Sequence, residues 1–319
     1  MHNNKKKNNI TSVSVSQIGK GVIKTLIYSD LFKYPLELQE IRQRSEVSQV
    51  DKGLISQELR QMVNGNLVYR FNGYYSTLNM PEIVDRRAMG NKKAIKYLRL
   101  ARWISSVLCF FPFIRGIFLS GSISKNYIDK ESDIDFFIIT TPGRMWVVKA
   151  VFVLFKKVVL FNSHKYLCLN YFVTTDTLKI DEKNIYTATE MVTLIPMFGS
   201  DVYIKMMEDN SWVKNYYPNF SVAGTANIAQ SKPGLIKRSI ELLLSGYPVS
   251  RLDDWLMTVF LRRARKRNLD KMTEDQFKIA FKTSKNVSKY HEKNYQKQIR
   301  ELFSKKIEEF EQMHNLTLR

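Results

Sequence analysis

The sequence predicts an α+β protein of several domains, and three observations carry that class. Short apolar-periodic segments near the N-terminus run into an Asn72-Gly73 turn between LVYRF and YYSTL. In the middle of the chain, short β-branched and aromatic runs flank a Gly-Ser turn and an Asp-Ile-Asp strand start. Beyond residue 231 only helical periodicity is evident.

Residues 1–17 are polar and lysine-rich, without periodicity, and are expected to form a tail. Val22, Ile23, Leu26, Ile27 and Leu31 recur at helical spacing. Tyr34-Pro35 separates that helix from a shorter one through Leu38 and Ile41. Leu54, Ile55, Leu59, Met62 and Val63 mark one face of a third. Asn-Gly is the dipeptide preferred in a two-residue type I′ hairpin, because both central positions need positive φ. Three helices and a hairpin are the layout of a winged helix-turn-helix over residues 18–80.

Pro81 opens a long helical stretch to about Ser106, which leads into residues 81–230. Here IFLSGS, the turn NYIDKES and DIDFFIITT read as strand, turn and strand. A helix through Trp146 to Leu160 and a strand in KYLCLNYFVTT follow. SVAGTANIAQSKPG, residues 221–234, reads as a boundary loop. A helical domain is expected over 231–319. Ile299, Leu302, Phe303, Ile307 and Phe310 form one apolar face of its last helix, and RRARKR at 262–267 ends another helix.

Composition narrows the function. Fifty Lys and Arg against 30 Asp and Glu give a net charge of +20, which attracts nucleic acid, nucleotides or anionic surfaces. That charge is spread over all three expected domains. The apolar runs are broken by Pro112, Arg115, Lys149, Lys156 and Lys157, so no spanning helix and no membrane are expected. The N-terminus lacks the apolar stretch of a secretory signal, and Cys109 and Cys168 sit in apolar runs, which fits a cytoplasmic setting. His2, His164, His291 and His314 are too scattered for a local metal motif. No G-x-G-x-x-G, P-loop or G-x-S-x-G occurs. Trp146, Trp212 and Trp255 read as core residues.

The chemistry is concentrated in residues 118–140. Strand alternation sets Asp133 and Asp135 on one face and Ile134, Phe136 and Ile138 on the other. Two carboxylates at one strand end repel unless a cation sits between them, and oxygen ligands suit Mg²⁺ completed by substrate phosphates. Gly121 lets a triphosphate approach the backbone, Ser122 offers a hydroxyl and an N–H, and Lys125 offers a point charge.

At these residues the chain resembles the DNA polymerase β-like nucleotidyltransferase superfamily, whose hallmark is h-G-[GS], about ten residues, then D-h-[DE]-h. Leu119, Gly121 and Ser122 match, with ten residues between Ser122 and Asp133, and so do Asp133, Ile134, Asp135 and Phe136. The order of winged helix, GSISK, DIDFFII, GRMW, LCLNYF, TATEM and helical tail also resembles bacterial nucleotidyltransferase-domain proteins. The resemblance implies a mixed-sheet core and an NTP donor held by Gly121 and Ser122. It also implies two Mg²⁺ ions on Asp133 and Asp135, and transfer of a nucleoside monophosphate to a hydroxyl on a small molecule, RNA or protein.

The family's third carboxylate falls on Asn170, an amide that is no general base near neutral pH; Asp176 and Glu190 are the candidate substitutes. The alternative function is a nucleotide-sensing or DNA-binding regulator with a weak or inactive transferase fold. The outward residues of the third helix, Gln57, Glu58, Arg60 and Gln61 with Lys52, carry little positive charge for reading DNA.

Overall fold

A computed structural model describes residues 15–318 apart from 50, 162, 164, 223, 271 and 290–294. The expected tail falls outside the described residues up to residue 14, as do His2, His164 and His291. The chain is α+β and divides into two compact units, residues 1–85, 215–220 and 299–319, and residues 86–214 and 221–298.

The first unit begins with helix α1 (Gln17–Asp30), whose N-cap Ser16 accepts a hydrogen bond from the Gly19 N–H at 3.0 Å. Strand β1 (Leu36–Glu37) and helices α2 (Leu38–Arg44) and α3 (Lys52–Asn64) follow. Val22, Ile23, Leu26, Ile41, Ile55 and Leu59 are fully buried, but Leu54, expected inward, is 48% exposed. Strands β2 (Tyr69–Phe71) and β3 (Tyr74–Ser76) are joined by Asn72 and Gly73 at φ of 49° and 88°, the left-handed pair this turn requires. A three-stranded antiparallel sheet results, in the order β1-β3-β2. Asp30 ties the end of α1 to β3: Ser76 Oγ donates to its carboxylate at 2.8 Å, and Thr77 N–H and Oγ1–H donate at 2.6 and 2.7 Å.

Helix α4 (Glu82–Leu108) leads into the second unit. Its elements are β4 (Ile114–Ser120), the single turn α5 (Gly121–Ser124), β5 (Asp135–Thr140), α6 (Met145–Val159), β6 (Cys168–Thr174), α7 (Ile185–Val192), β7 (Ile195–Phe198), α8 (Ser200–Asp209), α9 (Leu235–Leu243), α10 (Tyr247–Asn268), α11 (Glu274–Ala280) and β8 (Val287–Lys289). The mixed sheet runs β7-β4-β5-β6-β8, with only β5 and β6 parallel. A parallel pair needs a crossover, and α6 supplies it. One sheet face buries Ile117, Leu119, Phe136, Ile138 and Phe172 against α4 and α6, with Trp146 and Phe152 at the centre. On the other, Phe118 stacks on Phe137 and meets Tyr203 of α8 edge-on. The β-strand period of two assigns the residues of β4 and β5 to these faces.

Helix α12 (Tyr295–His314) follows, and from Ile299 it is grouped with the first unit, where Phe303 packs edge-on against Tyr28 at 5.3 Å. Two expectations for residues 231–319 therefore change. They are divided between the units, and they are not all helical, because Val287–Lys289 adds an antiparallel edge strand to β6. Three residues show too little periodicity to be read as a strand without knowing the edge that they complete.

Candidate active site

Ser120, the last residue of β4, is the cross-strand partner of Asp135, the first of β5. The chain therefore turns at Gly121 directly against the Asp135 side chain. Gly121 has φ of +69°, and a Cβ there would fall 2.1 Å from Asp135 Oδ2. Glycine is required twice, once for the backbone conformation and once for the carboxylate. The loop from Lys125 to Asp133 is seated on α4. Ile128 N–H donates to Gly90 O at 3.3 Å, and a Cβ on Gly90 would meet the Tyr127 ring at 2.2 Å. Asp133 stands just outside β5, half-buried, with Ile134 N–H donating to Lys165 O at 3.0 Å.

The β5–β6 register then makes a specific adjustment. Asp135 pairs with Cys168, but Phe137 pairs with Tyr171, so β6 carries one extra residue between them. Such a bulge re-aims side chains. Asn170, within it, donates from Nδ2 to Asp135 Oδ1 at 2.7 Å and accepts from Cys168 Sγ at 3.2 Å. Burial first, then the charges of Asp135 and Asp133, pushes the Cys168 thiol up to about 12. It therefore stays protonated as a donor and holds the Asn170 amide with its nitrogen toward Asp135.

Glu190, on α7, reaches the same turn. Its Oε2 accepts from Gly121 N–H at 3.3 Å, and its Oε1 accepts from Lys125 Nζ at 2.8 Å; Lys125 also donates to Gly121 O at 3.0 Å. Lys125, expected to face phosphate, is thus already paired. The Asp135 carboxyl is pushed up to about 7, by burial first and then by the charges of Glu190 and Asp133.

Asp133, Asp135, Asn170, Glu190, Gly121 and Lys125 are thereby linked through the ends of β4, β5, β6 and α7, with Ser122 next along the turn. Asp176 lies apart, accepting from Thr174 Oγ1 and Thr177 Oγ1 beyond the far end of β6.

All the anionic donors here are oxygens, and their mutual repulsion at Asp135 is what a hard divalent cation relieves. Among the described residues no three His, Cys, Asp or Glu side chains converge as a metal cage. The donor set fits a cation that arrives with substrate oxygens and takes Asp133 and Asp135 as ligands, rather than one held by protein alone.

Sequence reasoning missed Lys156. It is buried on α6 and within electrostatic reach of Asp133 and Cys168, with burial first holding its pKa below the usual lysine value. The available signal was the seven-residue interval between Lys149 and Lys156, which puts two of the three lysines of a mainly apolar helix on one face. Trp255 is a further correction: expected in the core, it is 60% exposed, whereas Trp146 is buried.

The chain matches no family model, no curated protein and no solved structure. The fold and site therefore define it: an α+β protein whose mixed sheet presents a glycine turn seated on a half-buried aspartate.

Proposed function

We propose that the protein is a Mg²⁺-dependent nucleotidyltransferase that moves a nucleoside monophosphate from an NTP to a hydroxyl acceptor and releases pyrophosphate. The observation that carries this reading is the seat of Gly121 on Asp135, where backbone and carboxylate approach closer than any side chain allows. That juxtaposition brings phosphate-binding N–H groups and cation ligands to one point.

When bound, Mg²⁺ would neutralise phosphate charge between Asp133 and Asp135. Gly121 and Ser122 bind triphosphate oxygens through N–H and hydroxyl groups. The triphosphate takes the place of the Glu190 carboxylate on Gly121 N–H and Lys125. Asn170 orients Asp135 but accepts no proton. As the acceptor oxygen bonds to the α-phosphorus, the bond from that phosphorus to the bridging oxygen breaks and pyrophosphate leaves. The displaced Glu190 carboxylate takes the hydroxyl proton.

A second reading, a nucleotide sensor without turnover, is favoured by Asn170 at the position where a carboxylate was expected. In the first unit, three helices, a sheet in the order β1-β3-β2 and the Asn72-Gly73 hairpin support a winged-helix reading. Lys52, Gln57, Arg60 and Gln61 are exposed on its third helix and Glu58 is half-buried, so that face carries two cations. Both cysteines are free, which supports a cytoplasmic setting.

The test presents each α-labelled NTP, with and without Mg²⁺, to the protein in a cell extract. Label on an acceptor together with pyrophosphate, both lost in Asp133→Asn with Asp135→Asn, supports the transferase. Mg²⁺-dependent binding without label transfer supports the sensor. Nucleotide affinity unchanged in the double variant removes both.

A further inference from the structure

Helix α9 is inside out. Leu235 and Leu242, and Ile236 and Leu243, repeat at seven residues and so share one side of the helix. These four are 75–85% exposed, and Tyr247, at the start of α10, is 70% exposed. Two of its three charges, Lys237 and Glu241, face inward instead. Lys237 Nζ donates to Cys109 O and Ile114 O, each at 2.9 Å. Four residues on, Glu241 accepts from both Arg115 terminal nitrogens at 2.9 and 2.6 Å and from Phe113 N–H at 2.5 Å. This polar anchoring fixes which way the helix is rolled and commits its apolar side to the outside.

The charges around that apolar side are of one sign. Between Ser231 and Trp255 the exposed cations are Lys232, Arg238 and Arg251, with the Arg251 guanidinium 5.2 Å from the Tyr247 ring centre. Two acids of the same segment are buried and the third, exposed Asp254, is paired with a lysine. Glu241 is paired inward, Asp253 is buried and accepts from Val147 N–H at 2.8 Å, and Asp254 is bound to Lys285 at 2.9 Å.

We infer that α9 and the start of α10 form a docking surface for an anionic lipid bilayer. An exposed aliphatic helix face followed by exposed Tyr247, with the exposed cations Lys232, Arg238 and Arg251 nearby in sequence, is the composition of a helix lying in the membrane interface. No described helix is long and apolar enough to cross a membrane; the expectation of no membrane rested on the lack of such a helix, and attachment to a bilayer surface needs none. Two further occupants fit less well. A second copy would bring Arg238 and Arg251 against their like charges, and nucleic acid gives no return for burying four aliphatic side chains. The inference is independent of the nucleotide reading.

The experiment is flotation of the full chain with vesicles of phosphatidylcholine alone or with added phosphatidylglycerol, in parallel with light scattering. The wild type is expected to be monomeric, to float with the phosphatidylglycerol vesicles only, and to be released by salt. Leu242→Ser with Leu243→Ser, exposed positions whose change leaves the melting temperature unmoved, should lower partitioning by at least about tenfold. Arg238→Glu should weaken binding to the anionic vesicles. No flotation of the wild type, or undiminished flotation of the double serine variant, overturns the inference. So does a wild-type dimer that the serine variant converts to monomer, since a second copy then covers the face.

Discussion

Asn170 Nδ2 donates to Asp135 Oδ1 at 2.7 Å across a one-residue bulge in the parallel β5–β6 pair. A donor therefore stands where the family resemblance implied another acid. The contact stabilises the ionised form of an aspartate that burial and two neighbouring acids otherwise push toward its protonated form.

Asn170→Asp converts that hydrogen bond into a clash of like charges. Without divalent cations the variant should lose about 1–3 kcal/mol of stability. Mg²⁺ should restore more of it than it adds to the wild type, because a second carboxylate now faces Asp135. Thermal unfolding with and without Mg²⁺ measures the difference, and an equal Mg²⁺ response in both proteins would remove Asn170 from the cation site. On the proposed transferase reading, turnover should rise in this variant if the wild type is slow.

Gly121→Ala places a methyl group 2.1 Å from Asp135 Oδ2, at φ of +69°. Left-handed strain alone costs about 1–2 kcal/mol for a residue with a Cβ, and the clash adds to it. Asp135→Ala removes the clashing carboxylate, so the double variant should recover the clash component. A double-mutant cycle by denaturant unfolding should give a coupling of about 1–3 kcal/mol. Strict additivity would mean that the turn does not rest on this carboxylate.

Glu190→Gln should separate binding from turnover. Removing its charge releases Lys125 and Gly121 N–H for phosphate, and NTP affinity should rise by about tenfold, equivalent to about 1.4 kcal/mol. On the proposed transferase reading, in which Glu190 accepts the hydroxyl proton, turnover should fall by roughly 10²–10⁴. Calorimetry with NTP and label transfer read the two effects independently; weaker binding in the variant would show that Glu190 assists the triphosphate.

Asp30 supplies a pH dependence far from this chemistry. Burial outweighs the hydrogen bonds from Thr77 and Ser76 and raises its carboxyl to about 6. The folded state then holds a proton that the unfolded chain, titrating near 3.8, has released. The stabilisation is complete below the unfolded value and is lost as pH rises through about 6. Asp30→Asn keeps an acceptor for Thr77 N–H and a donor for Ser76. Its stability relative to wild type should therefore increase between pH 4 and 6 by about 3 kcal/mol and then level off. Urea unfolding of both proteins across that range checks it, and a constant difference would refute it.

The α+β class, the Asn72-Gly73 hairpin and the Gly121 to Asp135 pattern were legible in the sequence because each is local. Positive φ at a two-residue turn, side-chain alternation and a glycine beside a strand end all depend on neighbours a few residues away. Tertiary structure alone decided the rest. The bulge that turns Asn170 to Asp135 exists only in the register of β6 against β5. Glu190 meets Gly121 from 69 residues away, β8 completes an edge that its own three residues do not announce, and α9 shows its apolar side because Arg115, Cys109 O and Ile114 O hold its charges inside. In each case a partner distant in sequence chose between conformations or orientations that local propensity left equivalent.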